Sequence, residues 1–78
     1  MRYYFHLYDR EGFLADQEGR EFARMAAVRK AALKAARSII GHDVENGMLD
    51  LRGRIEVADE HGTVVLRLPF TDAVRLEA

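Results

Sequence analysis

The chain has 78 residues, of which 49% are apolar and 32% charged, with one Pro and no Cys; this suits one compact domain and leaves no room for a second. Without cysteine there is no disulfide framework, no thiol nucleophile and no Cys-based zinc site, and His6, His42 and His61 lack the close spacing of a metal motif. The formal charge of −1 divides unevenly: two basic and four acidic groups in residues 1–19, six and one in 20–42, four and eight in 43–78, so a basic middle lies between acidic ends that neutralise it within one fold or across a dimer.

A domain of this size buries only about 60 to 65% of its unfolded surface, so its core is thin and self-association is the natural supplement. The opening MRYYFHLYDRE has no apolar signal core and no small-residue cleavage site, and no window approaches the roughly 18 apolar residues of a membrane span. The chain therefore reads as cytoplasmic, neither exported nor membrane-spanning.

Arg2 to Tyr8 alternates, with Tyr3, Phe5 and Leu7 on one face and Arg2, Tyr4, His6 and Tyr8 on the other. That is a strand with a buried side and an aromatic outer side. Asp9-Arg10-Glu11-Gly12 reads as a turn and Phe13-Leu14-Ala15 as a short returning strand, making a β-hairpin. Around Gly19 the chain is released into a helix expected from about Arg24 to Glu45 or Asn46, with seven alanines between Ala23 and Ala36 and an Asn46-Gly47 stop. Its core stripe is Phe22, Met25, Val28, Ala32, Leu33, Ala36, Ile39, Ile40 and Val44. Arg29 projects from the middle of that stripe and must snorkel, meet a carboxylate or face a partner.

After a loop from Met48 to Gly53, Arg54 to Ala58 alternates again. Asp59-Glu60-His61-Gly62 is a turn, and Thr63 to Leu68 returns with Val64, Leu66 and Leu68 inward and Val65 and Arg67 outward. Pro69 ends the strand, and Thr71-Asp72 is placed to cap one helical turn, Ala73 to Leu76. The order is ββαββ in a single α+β domain over residues 1–78: an antiparallel sheet from two β-hairpins, covered on one face by a single long helix. A helix of about 33 Å outruns strands of about 23 Å, which leaves Ile40, Val44 and Met48 overhanging as a further reason to associate.

With its opening Arg2-Tyr3-Tyr4-Phe5-His6, the acidic-glycine step Asp16-Gln17-Glu18-Gly19, the Ala-rich helix, Ile55-Glu56-Val57-Ala58-Asp59 and Leu68-Pro69-Phe70, nearly the whole chain resembles a family of small uncharacterised bacterial proteins known only as a domain of unknown function. The resemblance implies no activity. One departure is Arg24, where a good helix cap has Asp or Ser. More distantly, the strand, short strand and Ala-rich helix are similar to the N-terminal half of HicB-type antitoxins, which neutralise a small RNA-cleaving toxin and often bind their own operator. The similarity is one of topology, and with no separate DNA-binding segment after residue 78 direct operator recognition is not expected.

Catalysis needs convergent groups in a concave site. The hydroxyls are Ser38, Thr63, Thr71 and the tyrosines; no GxSxG, phosphate-cradling loop or HExxH occurs. Asp9, Asp16 and Glu18 gather near the first hairpin, where turn carboxylates are usually solvated, so a small hydrolase is the weakest reading. No cofactor or metal is called for. If the hairpins share a sheet, Tyr4, His6 and Tyr8 stand beside Arg54, Glu56, Val65 and Arg67. Such a face suits a sheet-to-sheet dimer, a protein partner or stacked single-stranded bases, unless the tail covers it. A second surface is the helix flank of Arg24, Lys30, Lys34 and Arg37, with Arg20 nearby, which is a solvated face, a phosphate contact or, through Ala23, Ala27, Ala31 and Ala35, a helix-packing face. The expectation is a non-enzymatic protein-interaction module that self-associates as a dimer, with an antitoxin-like or nucleic-acid-associated regulator as the alternative.

Overall fold

The computed structural model describes residues 1–77. Its strands are β1 (Arg2–Asp9), β2 (Gly12–Leu14), β3 (Arg20–Glu21), β4 (Arg54–Asp59) and β5 (Val64–Pro69), with helix α1 (Met25–Glu45) between β3 and β4 and a 3-10 turn at Phe70–Asp72. All five strands form one antiparallel sheet in the order β2-β1-β4-β5, with β3 also on β1. The α+β class and the two hairpins under one helix are as read from the sequence. The addition is β3, two residues too short to show an alternating pattern. It shares the outer edge of β1 with β2, pairing Arg2 with Glu21 and Tyr3 with Arg20.

Alternation puts Tyr3, Phe5, Leu7, Ile55, Val57, Leu66 and Leu68 on the inner face. Helix α1 lies over the β4–β5 half of that face. The fully enclosed core is Val28, Ala32, Ala36 and Ile40 from the helix, Ile55, Val57 and Leu68 from the sheet, and Phe70 and Ala73 from the last turn. Of the expected overhang, Ile40 is instead buried, whereas Val44 and Met48 are exposed. Met25, at the other end of the stripe, is exposed as well. Arg29 is exposed, and none of the ion pairs among the described residues includes it.

The helix begins without a side-chain cap at Arg24, so the departure noted at that position is real. Its end conforms to the Asn46-Gly47 signal: Gly47, with φ of 81°, donates to the Val44 carbonyl at 2.9 Å and Met48 donates to that of Asp43 at 2.9 Å. Two details differ from the sequence reading. The terminal turn comes earlier, at Phe70–Asp72, because the Phe70 ring is buried and its N–H donates to the Gly53 carbonyl at 2.9 Å. A bulge interrupts β5, with Val57 opposite Leu66 and Ala58 opposite Val64. Val65 is thus left without a β4 partner, and Val64, expected inward, does not join the core.

No helix of the described residues is long and apolar enough to cross a membrane.

Candidate functional site

The helix covers one face of the sheet and leaves the other open. Because both hairpins belong to one sheet, the candidate residues fall into cross-strand rows on that open face. Tyr8 stands between Phe13 on β2 and Arg54 on β4; His6 pairs with Glu56, which pairs with Arg67; Tyr4 pairs with Ala58. The rings are in contact range: Tyr4 and His6 are stacked at 6.5 Å between centroids, Phe13 lies 5.6 Å from His6 and 4.7 Å from Tyr8, and the Arg54 guanidinium sits 4.0 Å above the Tyr8 ring. Phe13 completes this array, and sequence reasoning missed it. The signal was present in the hairpin, since a strand returning through a short turn places its alternate residues opposite those of β1.

On the open face two guanidinium groups share one carboxylate. Arg54 Nε donates to Glu56 Oε2 at 2.9 Å and Arg67 Nε to the same oxygen at 3.3 Å. The Arg54 hydrogen bond and the two guanidinium charges hold the Glu56 carboxyl below its ordinary pKa, against the opposing effect of burial. The two arginines are therefore committed to one carboxylate.

On the edge of β1, between β2 and β3, Asp16 fills the gap. Its Oδ2 accepts the Phe5 N–H at 3.0 Å, its Oδ1 accepts those of Glu18 at 3.1 Å and Gly19 at 3.2 Å, and its own N–H donates to His6 Nδ1 at 3.1 Å. Burial pushes this carboxyl up, but the Phe5, Gly19 and Glu18 donors and the nearby His6 together hold it below its usual value. Asp16 is thus a structural plug, and Asp9 caps its own turn by accepting the Glu11 N–H at 2.8 Å. Among the described residues no group of three or more His, Asp or Glu stands together in a way that could hold a metal ion.

The basic helix flank is only partly available. Arg37 Nε donates to the Ala73 carbonyl at 2.7 Å and ties the terminal turn to α1. Arg20 lies 5.1 Å from the Phe5 ring and 5.3 Å from that of Phe22. Arg24, Lys30 and Lys34 are exposed, and none of the ion pairs among the described residues includes them.

Sequence reasoning also missed a cleft of about 600 Å³ on the inner face, beside the helix, lined by Phe5, Leu7, Leu14, Ala35, Ile39, Ile55 and the 15–18 segment. No local pattern marks it. It exists because α1 covers only one half of the sheet.

A two-layer α+β domain with a ring-rich open sheet face is the class these features define. The chain belongs to the family described as Domain of unknown function (DUF6894), whose model matches residues 2–71. No curated protein and no solved structure matches the chain.

Proposed function

We propose that this chain is a non-enzymatic protein-interaction module that pairs with a second copy of itself through the open sheet face, in the cytoplasm of a bacterium. The observation that carries the reading is the array of Tyr4, His6, Phe13 and Tyr8 with Arg54 laid on Tyr8. Tyr, Phe and Arg are the residues enriched in the centres of interfaces. The molecule is a slab measuring 39 × 24 × 16 Å, so one broad face is on the order of the 800 Å² per partner that a standard interface takes. Arg54 and Arg67 both pair with Glu56, so two such faces meet without burying an unpaired carboxylate, and the one cation in excess on each face belongs at the wet rim, where the Arg67 side chain is 67% exposed.

The test is light scattering on the wild type and on a Tyr4→Ala/Tyr8→Ala variant, with circular dichroism as the check on folding. A wild-type dimer that becomes a folded monomer supports the proposal. A wild-type monomer, or a dimer indifferent to both substitutions, overturns it.

The second reading, an antitoxin-like or nucleic-acid-associated regulator, draws on Arg24, Lys30 and Lys34, whose cations have no counterion among the described residues. It requires binding of mixed RNA or DNA oligomers that weakens steeply as salt rises. A gene for a small toxin next to this one favours the same reading.

A further inference from the structure

We propose that pairing through the open face is gated by a single proton on His6, so that the dimer forms when this imidazole is neutral and separates when it is charged. The inference rests on the dimer reading above and names what regulates that same face. Neutral imidazole has one nitrogen that accepts a hydrogen bond, whereas imidazolium can only donate. His6 Nδ1 accepts the Asp16 N–H at 3.1 Å, which fixes the ring as the neutral tautomer with its proton on Nε2. The same ring is half-buried in the array, stacked on Tyr4 with 8° between the planes and 5.6 Å from Phe13. The bond that fixes the tautomer therefore also fixes the surface that a second copy meets.

A proton added at Nδ1 sets N–H against N–H, and the ring and the Asp16 amide must part. The Asp16 carboxylate is the acid beside His6 and attracts the new charge. Its oxygens already accept the Phe5, Glu18 and Gly19 N–H groups, and Nδ1 is aimed at the amide, so the ring reaches an oxygen only by turning out of its stack with Tyr4.

The other groups around His6 do not absorb the charge. Glu56 is its partner on β4, but Glu56 Oε2 is taken by Arg54 and Arg67. Tyr4 and Tyr8 on β1 and Phe13 on β2 bring rings and no carboxylate, and at the β3 end Glu21 is met by Arg2 and the Met1 amine. An imidazolium thus adds to the cation already in excess on the face, and two facing copies make the addition twice.

The test is the dimer dissociation constant of the full chain, by sedimentation at about pH 8 and about pH 5, the span over which histidine changes charge. Wild type is compared with His6→Asn, which offers a side-chain oxygen close to the Nδ1 position, does not titrate, and leaves the Met1 amine, His42 and His61 in place. Expected is a wild-type dimer weakened about tenfold or more at the lower pH, and a His6→Asn dimer that changes little. A wild-type dimer as tight or tighter at the lower pH, or an equal loss in His6→Asn, overturns the gate and leaves the dimer standing. Where His6→Asn does not pair at all, the Asp16 amide decides by NMR: a resonance that follows the wild-type imidazole through its titration supports the gate, and one that ignores it overturns the gate. A wild type monomeric at both pH values removes the dimer reading and the gate with it.

Discussion

Phe70 and Phe13, and likewise Leu68 and Leu14, are the same residue types in one small fold, yet Phe70 and Leu68 are 2% and 1% exposed while Phe13 and Leu14 are 56% and 67% exposed. The first pair lies on the half of the molecule that α1 covers; on β2, Leu14 lies on the inner face beyond the helix and Phe13 on the open face, which no helix covers. On β4, Ile55, Glu56, Val57 and Ala58 are all buried, whereas every residue of β1 is only half-buried. Burial here follows place in the two layers more than residue type: α1 covers Ile55 and Val57 on the inner face of β4, while on its open face Glu56 is closed over by Arg54 and Arg67. The apolar surface left over on the β1–β2 side is what the molecule has available for partners.

The largest effect that would break this comparison is at the two phenylalanines. Phe70→Ala is expected to cost about 3 to 5 kcal/mol, most of the stability of so small a domain, and Phe13→Ala less than about 1 kcal/mol, both measured by urea unfolding at low protein concentration. Similar costs would mean that the β2 side is as tightly packed as the β5 side.

Next comes Gly19, with φ of 67°, where an added Cβ would sit 2.9 Å from Arg2 Cγ, Tyr3 O and Tyr4 Cε1. Gly19→Ala is expected to cost roughly 2 kcal/mol or more, through both backbone strain and crowding. Gly12→Ala meets nothing within 4 Å and is expected to cost only about 1 kcal/mol, from its positive φ alone. Thermal melting of the two variants shows whether the less covered half is held together by its loop seam.

Asp16→Ala removes the acceptor of three backbone N–H groups and is expected to cost about 1 to 3 kcal/mol. Hydrogen exchange locates the loss: faster exchange at Phe5, Glu18 and Gly19, with β4 and β5 retaining protection, is the expected pattern, and uniform acceleration would contradict it.

The smallest effect is with pH. Glu56 and Asp16 both have carboxyls held below their ordinary values in the fold, so each contributes stability that is full above the unfolded carboxylate range of about 4 and is lost as pH falls through the lowered folded values. Acid unfolding should therefore steepen below about pH 4. Glu56→Gln should flatten the part that belongs to the open face, where the pair with Arg54 is lost, and Asp16→Asn the part that belongs to the β1 edge.

Much of the fold was legible because it is written locally. Alternation in Arg2–Tyr8 and Arg54–Ala58, the alanine run to Ala36 and the Asn46-Gly47 stop each act over a few residues, and each element formed where those signals stand. Tyr4, His6 and Tyr8 could be placed on one face for the same reason. What sequence reading did not anticipate depends on partners distant in the chain. β3 is two residues held by Arg2 and Tyr3, Arg37 is drawn to the Ala73 carbonyl 36 residues away, and the β5 bulge follows from a register shift against β4.

The sequence by itself determined the kinds of element, their order and the two-faced character of β1, since periodicity of two or of 3.6 residues decides which side chains share a face. The tertiary structure alone decided that both hairpins join one sheet, that Arg54 is laid on Tyr8, and that α1 settles over β4 and β5 and leaves a cleft beside β1. The physical reason is that a helix and a sheet each carry an apolar face along their length, while the sideways offset between them is chosen by side-chain interlocking across the layer, here Val28, Ala32 and Ala36 against Ile55, Val57 and Leu68.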